Sequence, residues 1–183
     1  NMFFKLNSTY KFPKFINDEK IPSLDKILKK IPWNDLYDGI PVFIHGDLNF
    51  SNILYNSKNK KFMLIDWRQD FVGQIKYGDL YYDLAKLYAG ILMNFNHVIN
   101  EDYVYNQNGN SVHFSMKKWK QRKIYQKKFN EFITNYGLDL KKIHILAGLT
   151  YLNMAPLHPE PINKLLITFG TQTILDGLNG YKS

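Results

Sequence analysis

Residues 42–54 read Val-Phe-Ile-His-Gly-Asp-Leu-Asn-Phe-Ser-Asn-Ile-Leu, and residues 63–68 read Met-Leu-Ile-Asp-Trp-Arg. The short apolar runs in these stretches are typical of buried strands, and the polar residues between them predict a turn. A hairpin of this kind places the start of its first strand beside the end of its second strand. The pattern therefore predicts that Asp47, Asn52 and Asp66 converge on one spot.

The chemistry of these three side chains suits phosphoryl transfer. That reaction needs a carboxylate that accepts the proton of an attacking hydroxyl group, and hard oxygen ligands that hold Mg²⁺ against nucleotide phosphates. We assign the first role to Asp47 and the second to Asn52 and Asp66. Taken alone, Asp47 after Gly46 is more typical of an ordinary turn. The spacing from Asp47 to Asn52 and Asp66 makes the catalytic role the favoured interpretation.

The same residues carry a resemblance to a known family. His-Gly-Asp at residues 45–47, Asn-Ile-Leu at 52–54 and Ile-Asp-Trp at 65–67 resemble the C-terminal lobe of the aminoglycoside phosphotransferase and choline kinase family, which is protein kinase-like. Residues 77–87, Tyr-Gly-Asp-Leu-Tyr-Tyr-Asp-Leu-Ala-Lys-Leu, are similar to that family's Gly-Asp followed by Asp-Leu-Ala. The exact residues at 65–70 and 78–87 resemble those of a branch of the family that is associated with bacterial capsule and surface-polysaccharide biosynthesis.

The resemblance implies phosphate transfer from ATP, or another nucleoside triphosphate, to a hydroxyl group of a small molecule such as a sugar or choline. Mg²⁺ is the implied cofactor, with Asp47 as catalytic base and with Asn52 and Asp66 as metal and cofactor ligands. His45 is then a loop organiser, and Asp83 holds the catalytic loop in place. The plain alternative for Asp83, near the start of a helix, is an interaction with the helix dipole.

Four residues are candidates for the substrate side of the site. Trp67 and Arg68 follow Asp66 directly and border the same cleft, although packing is the commoner fate of a Trp at such a position. His158 and Glu160 lie on a proline-rich connector that cannot be helical throughout. By resemblance, the C-terminal helices form part of the acceptor pocket, which makes this connector a substrate-side element.

Two other function classes fit the sequence. The first is a non-catalytic kinase-like lobe that binds a ligand or acts as a scaffold. The second is a module that binds an anionic polymer or surface through a basic helix at residues 117–128. The cations of that helix are Lys117, Lys118, Lys120, Arg122, Lys123, Lys127 and Lys128. Such a charge run more often forms a solvated face, and nucleic acid is not the favoured partner.

The composition excludes several classes of protein. Without cysteine the chain has no disulfide framework, thiolate zinc site or catalytic thiol, and a cytoplasmic location fits. It contains no run of about eighteen apolar residues, so the sequence predicts no transmembrane segment. The formal net charge of +8 suits an anionic ligand such as a nucleotide phosphate, without choosing among anions.

The 183 residues suffice for one domain with a real core, and we predict an α+β fold that is mainly α. By resemblance this is the helical C-terminal lobe of a protein kinase-like fold, with a small catalytic β-hairpin and a second, inserted hairpin. Residues 1–40 form an irregular or partly helical lead-in, and residues 41–95 form the catalytic strands and a central helix. Residues 96–116 form the inserted hairpin, and residues 117–183 form a helical subdomain whose last helix covers 162–178.

The family fold has an N-terminal lobe with a nucleotide-covering loop and a phosphate-contacting Lys, and we find neither in this sequence. Lys5 is the only conceivable substitute for that Lys, and we do not assign it the role. We therefore expect the chain to be the C-terminal lobe of a larger protein, with the N-terminal lobe as its missing partner. Because this catalysis depends on positioning and charge stabilisation, the isolated lobe is expected to be inactive or weakly active.

Overall fold

A computed structural model describes residues 10–71, 73–74, 76–117 and 119–180 of the chain. Its helices are α1 (Leu24–Lys30), α2 (Trp33–Tyr37), α3 (Leu80–Leu92), α4 (Phe95–Ile99), α5 (Arg122–Asn135), α6 (Leu140–Met154) and α7 (Ile162–Leu178). Its strands are β1 (Phe15–Ile16), β2 (Glu19–Lys20), β3 (Pro41–Val42), β4 (Ile53–Asn56), β5 (Lys61–Leu64), β6 (Gly78–Asp79), β7 (Tyr103–Asn108) and β8 (Ser111–Met116). Short 3₁₀ turns cover Phe50–Asn52 and Ala155–Leu157. The architecture is mixed α and β, which is consistent with a kinase-like fold.

Strand pairing in the described part of the chain is divided among small sheets. β2, β1, β8 and β7 lie side by side in that order, with β1 parallel to β8 and the other neighbours antiparallel. β3 pairs with β6, and β4 pairs with β5 as an antiparallel hairpin in which Ile53 faces Leu64. The β4–β5 pairing positions the candidate site, because it brings the start of β4 beside the end of β5.

The hydrophobic core lies between the helices. Residues 165–168 of α7 are all buried, so every side of that helix is covered. α6 packs against α7, and α3 packs against α6. Gly148 and Gly170 permit the close approach of α6 and α7, because a Cβ at Gly148 would lie 2.7 Å from the carbonyl oxygen of Gly170. This packing fixes α3, whose first turns border the candidate site.

The lead-in differs from the prediction. Residues 10–22 contain β1 and β2 where the sequence predicted irregular or helical chain, and residues 1–9, including Lys5, lie outside the described residues. Each strand is too short to show a period of two, and β1 is held by β8 in a register that pairs Phe15 with Ser111. Pairing between segments so distant in sequence leaves no local signal.

The prediction for residues 96–116 was wrong in its first part. The hairpin begins at Tyr103, and residues 97–99 belong to the helix α4. Asn94 caps α4, because its side chain accepts the backbone N–H of Asn96. This cap starts a helix in a stretch whose β-branched residues suggested a strand.

Other helix bounds agree with the prediction or shift by a few residues. α7 covers the predicted residues, α3 ends at Leu92 instead of about residue 95, and α5 begins at Arg122 instead of Lys117. Lys118 of the basic cluster lies outside the described residues. The described lysines of that cluster are exposed, as on a solvated face: Lys117, Lys120, Lys123, Lys127 and Lys128. None of the helices in the described ranges is both long enough and apolar enough to cross a membrane.

Candidate active site

The loop between β3 and the 3₁₀ turn before β4 carries His45, Gly46 and Asp47. Gly46 has a φ of +79°, in the left-handed region that favours glycine. A Cβ at this position would also lie 2.6 Å from the Cβ of Arg68. Glycine therefore lets the loop turn sharply beneath Arg68, and this turn presents Asp47.

The carboxylate of Asp83 holds this loop from α3. Its two oxygens accept the backbone N–H groups of His45 at 2.7 Å and of Gly46 at 2.9 Å. Burial raises the pKa of Asp83, and the two N–H donors offset part of the rise because they stabilise the charged form. Asp79 has a different place, since it caps α3 by accepting the N–H of Tyr81. Of these two acidic residues, Asp83 is the one that contacts the loop.

The ring of His45 joins the loop to the strand end that carries Asp66. Its Nδ1 accepts the N–H of Asp47 at 3.2 Å, so the proton lies on Nε2, which donates to the carbonyl of Ile65 at 2.8 Å. The N–H of Arg68 donates to the carbonyl of His45 at 2.9 Å, across the same gap. With both nitrogens hydrogen-bonded, the ring orients the loop and joins it to the end of β5.

Asn52 lies against Asp47 and beside the strand that leads to Asp66. Its Nδ2 donates to the carbonyl of Asp47 at 3.0 Å and lies 3.4 Å from Oδ2 of the same residue. Its backbone carbonyl accepts the N–H of Ile65 at 3.0 Å, and this hydrogen bond continues the β4–β5 register by one pair. Asp66 follows directly, exposed and with a φ of +61°. The structure thus brings Asp47 and Asn52 into contact and places Asp66 one residue beyond the backbone contact of Asn52.

One residue of this group was missed by the sequence reasoning. Nζ of Lys86 lies 2.7 Å from Oδ1 of Asp47, and the Lys86 side chain is only 13% exposed. Burial raises the pKa of Asp47, but the hydrogen bond and charge of Lys86, together with the charge of Arg68, hold it below its ordinary value. Lys86 follows Asp83 by three residues, and residues three apart on a helix share a face. That spacing is the signal that could have revealed it.

A cavity of about 450 Å³ adjoins the loop on the side of Lys86. It lies between the residues that follow Asp47 and the helices α3, α4 and α6. Its volume falls in the range of small-molecule sites, about 300–1,000 Å³. Its polar lining includes Asn49, Ser51, Lys86, Asn94 and Asn96. The cavity therefore offers room for a small molecule next to the Asp47–Lys86 pair.

Trp67 and Arg68 lie at the loop and not in the lining of this cavity. Trp67 packs on the ring of His45, with 4.8 Å between the ring centroids. Arg68 packs its stem against Gly46, and its charge lowers the pKa of Asp47. Trp67 is thus part of the packing around His45, whereas Arg68 brings a cation close to the proposed base.

His158 and Glu160 also lie outside the lining. The ring of His158 lies 5.4 Å from that of Phe95, measured between centroids, and Phe95 is a lining residue. Glu160 is exposed and pairs with Lys164 at 2.8 Å. The structure thus places His158 in contact with a lining residue and does not bring Glu160 to the cavity.

The donors at Asn52 and Asp66 fit Mg²⁺. The Asp66 carboxylate has no hydrogen-bond or ion-pair partner among the described residues, and Oδ1 of Asn52 has only the Ser51 hydroxyl at 3.4 Å. Mg²⁺ is usually held by one or two carboxylates together with substrate phosphates and water. Within the same described ranges, no three or more His, Cys, Asp or Glu side chains cluster as a metal site. A carboxylate and an amide oxygen with available lone pairs are oxygen donors of the kind that Mg²⁺ binds.

Comparison with known proteins gives a family for the segment that contains these candidate site residues. The family model described as the phosphotransferase enzyme family matches residues 14–110, just over half of the chain. The chain belongs to the phosphotransferase enzyme family. No curated protein and no solved structure matched it. The segment matched to the phosphotransferase family contains Asp47, Asn52, Asp66 and Lys86, and members of this kinase-like family generally use ATP and Mg²⁺.

Proposed function

We propose that the chain is the lobe of a Mg²⁺-dependent phosphotransferase that moves phosphate from a nucleotide, ATP in the first instance, to a hydroxyl group of a small molecule. The observation that carries the proposal is the pair of contacts that Asn52 makes. Its side-chain Nδ2 donates to the carbonyl of Asp47, and its backbone carbonyl accepts the N–H of Ile65, the residue before Asp66. Family membership supports the reaction class, and this contact supports the choice of residues.

Asp47 binds the acceptor hydroxyl in this mechanism and accepts its proton. The acceptor oxygen forms a bond to the γ-phosphorus, the bond from that phosphorus to the β–γ bridging oxygen breaks, and the nucleoside diphosphate leaves. Because Lys86 and Arg68 keep the pKa of Asp47 low, its carboxylate is ionised at neutral pH. His45 and Asp83 hold the loop so that this carboxylate is already in place.

Asn52 and Asp66 would hold Mg²⁺ together with the nucleotide phosphates. When bound, the ion neutralises the charge that develops on the transferred phosphoryl group. Arg68 lies close enough to Asp47 to lower its pKa, and we assign it a contact with the same phosphates. A cationic side chain and a metal ion beside the phosphoryl group would supply the kind of charge stabilisation on which this reaction depends.

The finer parts of the proposal rest on the resemblance of the sequence. They are a setting in surface-polysaccharide metabolism in the cytoplasm, and an N-terminal lobe that covers the nucleotide. The division into a lead-in, a catalytic segment, a hairpin that begins at Tyr103 and a helical subdomain is also a proposal, and it rests on sequence patterns. The anionic-surface alternative through residues 117–128 has the support of exposed lysines alone.

The test is turnover of the full-length protein with a panel of sugars and amino alcohols, followed as release of nucleoside diphosphate. Asp47→Ala should lower kcat by about 10²–10⁴-fold, the usual contribution of a general base. Asp25→Ala removes an exposed carboxylate of α1 and should leave kcat unchanged. Unchanged turnover in Asp47→Ala would refute this mechanism.

One observation favours a second candidate, a non-catalytic lobe that binds a ligand or acts as a scaffold. The ammonium of Lys86 lies on Oδ1 of Asp47 and reduces its strength as a base. Such a lobe would bind Mg²⁺–ATP without transferring phosphate. Calorimetry with Mg²⁺ and ATP, run beside the release assay, separates the two candidates, because binding without release for every acceptor supports the second.

A further inference from the structure

We propose that the cavity beside Asp47 takes an acceptor without positive charge, a polyol such as a neutral sugar, and that Lys86 excludes amino alcohols. This inference rests on the proposed function, because it names the acceptor class of the same site. It narrows the choice between sugar and choline that the sequence left open.

The first argument for this proposal is the charge of the residues at the cavity. Lys86 is a lining residue, and none of the described residues in the lining is acidic. Asp47, the carboxylate that an acceptor hydroxyl must reach, is already paired with Lys86 at 2.7 Å. A cationic acceptor would meet the ammonium of Lys86 and would have to displace it from Asp47. An uncharged hydroxyl instead accepts a hydrogen bond from the remaining N–H groups of Lys86.

The polar groups of the lining match hydroxyl groups. Asn94 uses Oδ1 to cap α4, and its Nδ2 has no partner among the residues that the structure describes. The side chain of Asn96 is exposed beside it. Ser51 gives its hydrogen to Asn49 and keeps its oxygen lone pairs. Amides and hydroxyls donate and accept alike, as sugar hydroxyls do, so this array recognises a polyol without needing a charge.

The rest of the lining is largely apolar and includes the ring of Phe95. Ala89, Gly90 and Met93 of the α3 segment lie in the same lining. The ring of His158 lies 5.4 Å from that of Phe95, measured between centroids. Apolar walls with a few convergent polar groups are typical of small-molecule sites. A sugar meets both parts, with its C–H groups on the apolar wall and its hydroxyls on the amides.

The test is binding of matched sugar pairs that differ by one positive charge. Glucose, galactose and mannose are compared with their 2-amino derivatives by NMR titration of ¹⁵N-labelled protein, with choline as a further cation. At least one neutral sugar should shift the signals of Asn94 and Asn96 and bind about tenfold or more tightly than its amino derivative. Equal or tighter binding of the amino sugars or choline, or no binding of any neutral sugar, would overturn the proposal.

Two variants change the charge of the cavity in independent ways. Lys86→Met removes the ammonium and should bring the two members of each sugar pair toward equal affinity. Asn94→Asp adds a carboxylate but keeps a good helix cap, so it should shift the preference toward the amino sugar even if Lys86→Met fails to fold. Lys127→Met removes an exposed Lys of α5 and should leave the preference unchanged. A preference that stays the same in both cavity variants would overturn the role of Lys86.

The outcome is separable from that of the proposed function. Turnover of choline or an amino sugar that depends on Asp47 would refute the charge selectivity and leave phosphate transfer intact. Selective binding of neutral sugars, with no Asp47-dependent release, would refute the phosphotransferase and support the cavity as a site for uncharged polyols.

Discussion

Nζ of Lys86 and Oδ1 of Asp47 lie 2.7 Å apart, so α3 holds the proposed base in an ion pair. The same helix holds the backbone of the loop through Asp83, one turn earlier. A single helix face therefore fixes both the position and the charge of Asp47. Changes on this face should alter catalysis and stability in ways that can be told apart.

The acid limb of the pH–rate profile should report the ion pair. Burial raises the pKa of Asp47, but Lys86 and Arg68 outweigh it and hold the value below 3.8. Asp47 should thus remain ionised down to that range, and kcat/KM should fall only at lower pH. In Lys86→Met the acid limb should move to higher pH, because burial remains and the ammonium is gone. An acid limb that does not move would show that another group sets it.

Removal of the Asp83 carboxylate should destabilise the fold. Asp83→Ala leaves the N–H groups of His45 and Gly46 without their acceptor, at a cost of about 1–3 kcal/mol for each buried donor. Urea unfolding measures the loss. Asp83→Asn keeps one acceptor oxygen and should lose less. Equal stability of Asp83→Ala and the unchanged protein would show that the carboxylate is not needed to hold the loop.

Gly46 should tolerate a side chain less well than Gly109, although both have positive φ, +79° and +57°. Alanine at either position should lose about 1–2 kcal/mol to the left-handed backbone. Only at Gly46 would the new Cβ lie 2.6 Å from the side chain of Arg68, since nothing lies within 4 Å at Gly109. Thermal unfolding should therefore give a lower Tm for Gly46→Ala than for Gly109→Ala. The reverse order would contradict the packing described for the loop.

Acid should destabilise the core through His144. Burial lowers the pKa of His144 from 6.5 to about 4. Between these values the unfolded chain binds a proton that the folded chain does not, so stability falls as pH decreases from 6.5 toward 4. At 1.36 kcal/mol per pKa unit the loss reaches about 3 kcal/mol.

Thermal unfolding across this pH range measures the His144 effect as a difference between variants. His144→Gln should flatten the fall in Tm, whereas His113→Gln, at an exposed position, should retain it. Equal pH dependence in His144→Gln and the unchanged protein would contradict a buried, neutral His144.

Sequence patterns revealed the parts of this molecule that are determined locally. α7 covers the predicted residues because its helical spacing and the preceding prolines are contained within one segment. The spacing from Asp47 to Asn52 likewise survives as a direct contact, because a single loop contains both residues. The sequence did not indicate a role for Lys86, because its partner Asp47 lies on that loop, far away in the sequence. A residue of this kind is found only when the helix face that carries Asp83 is considered as a whole.

The cavity was out of reach of sequence reasoning for the same physical reason. Its walls come from the loop after Asp47, from α3 and α4, and from α6. No local pattern reports how such distant segments enclose a space. His158 and Glu160, the substrate-side candidates on the connector, do not line this cavity, and their role stays a prediction.

The position of the metal relative to Asp47, Asn52 and Asp66 is the most direct test of the account. Mn²⁺ replaces Mg²⁺ at oxygen sites and broadens the NMR signals of nearby nuclei. With Mn²⁺ and a non-hydrolysable ATP analogue, the account predicts that the signals of Asn52 and Asp66 broaden first and that Asp66→Asn abolishes the effect. Broadening at other residues, with the signals of Asn52 and Asp66 unaffected, would contradict it.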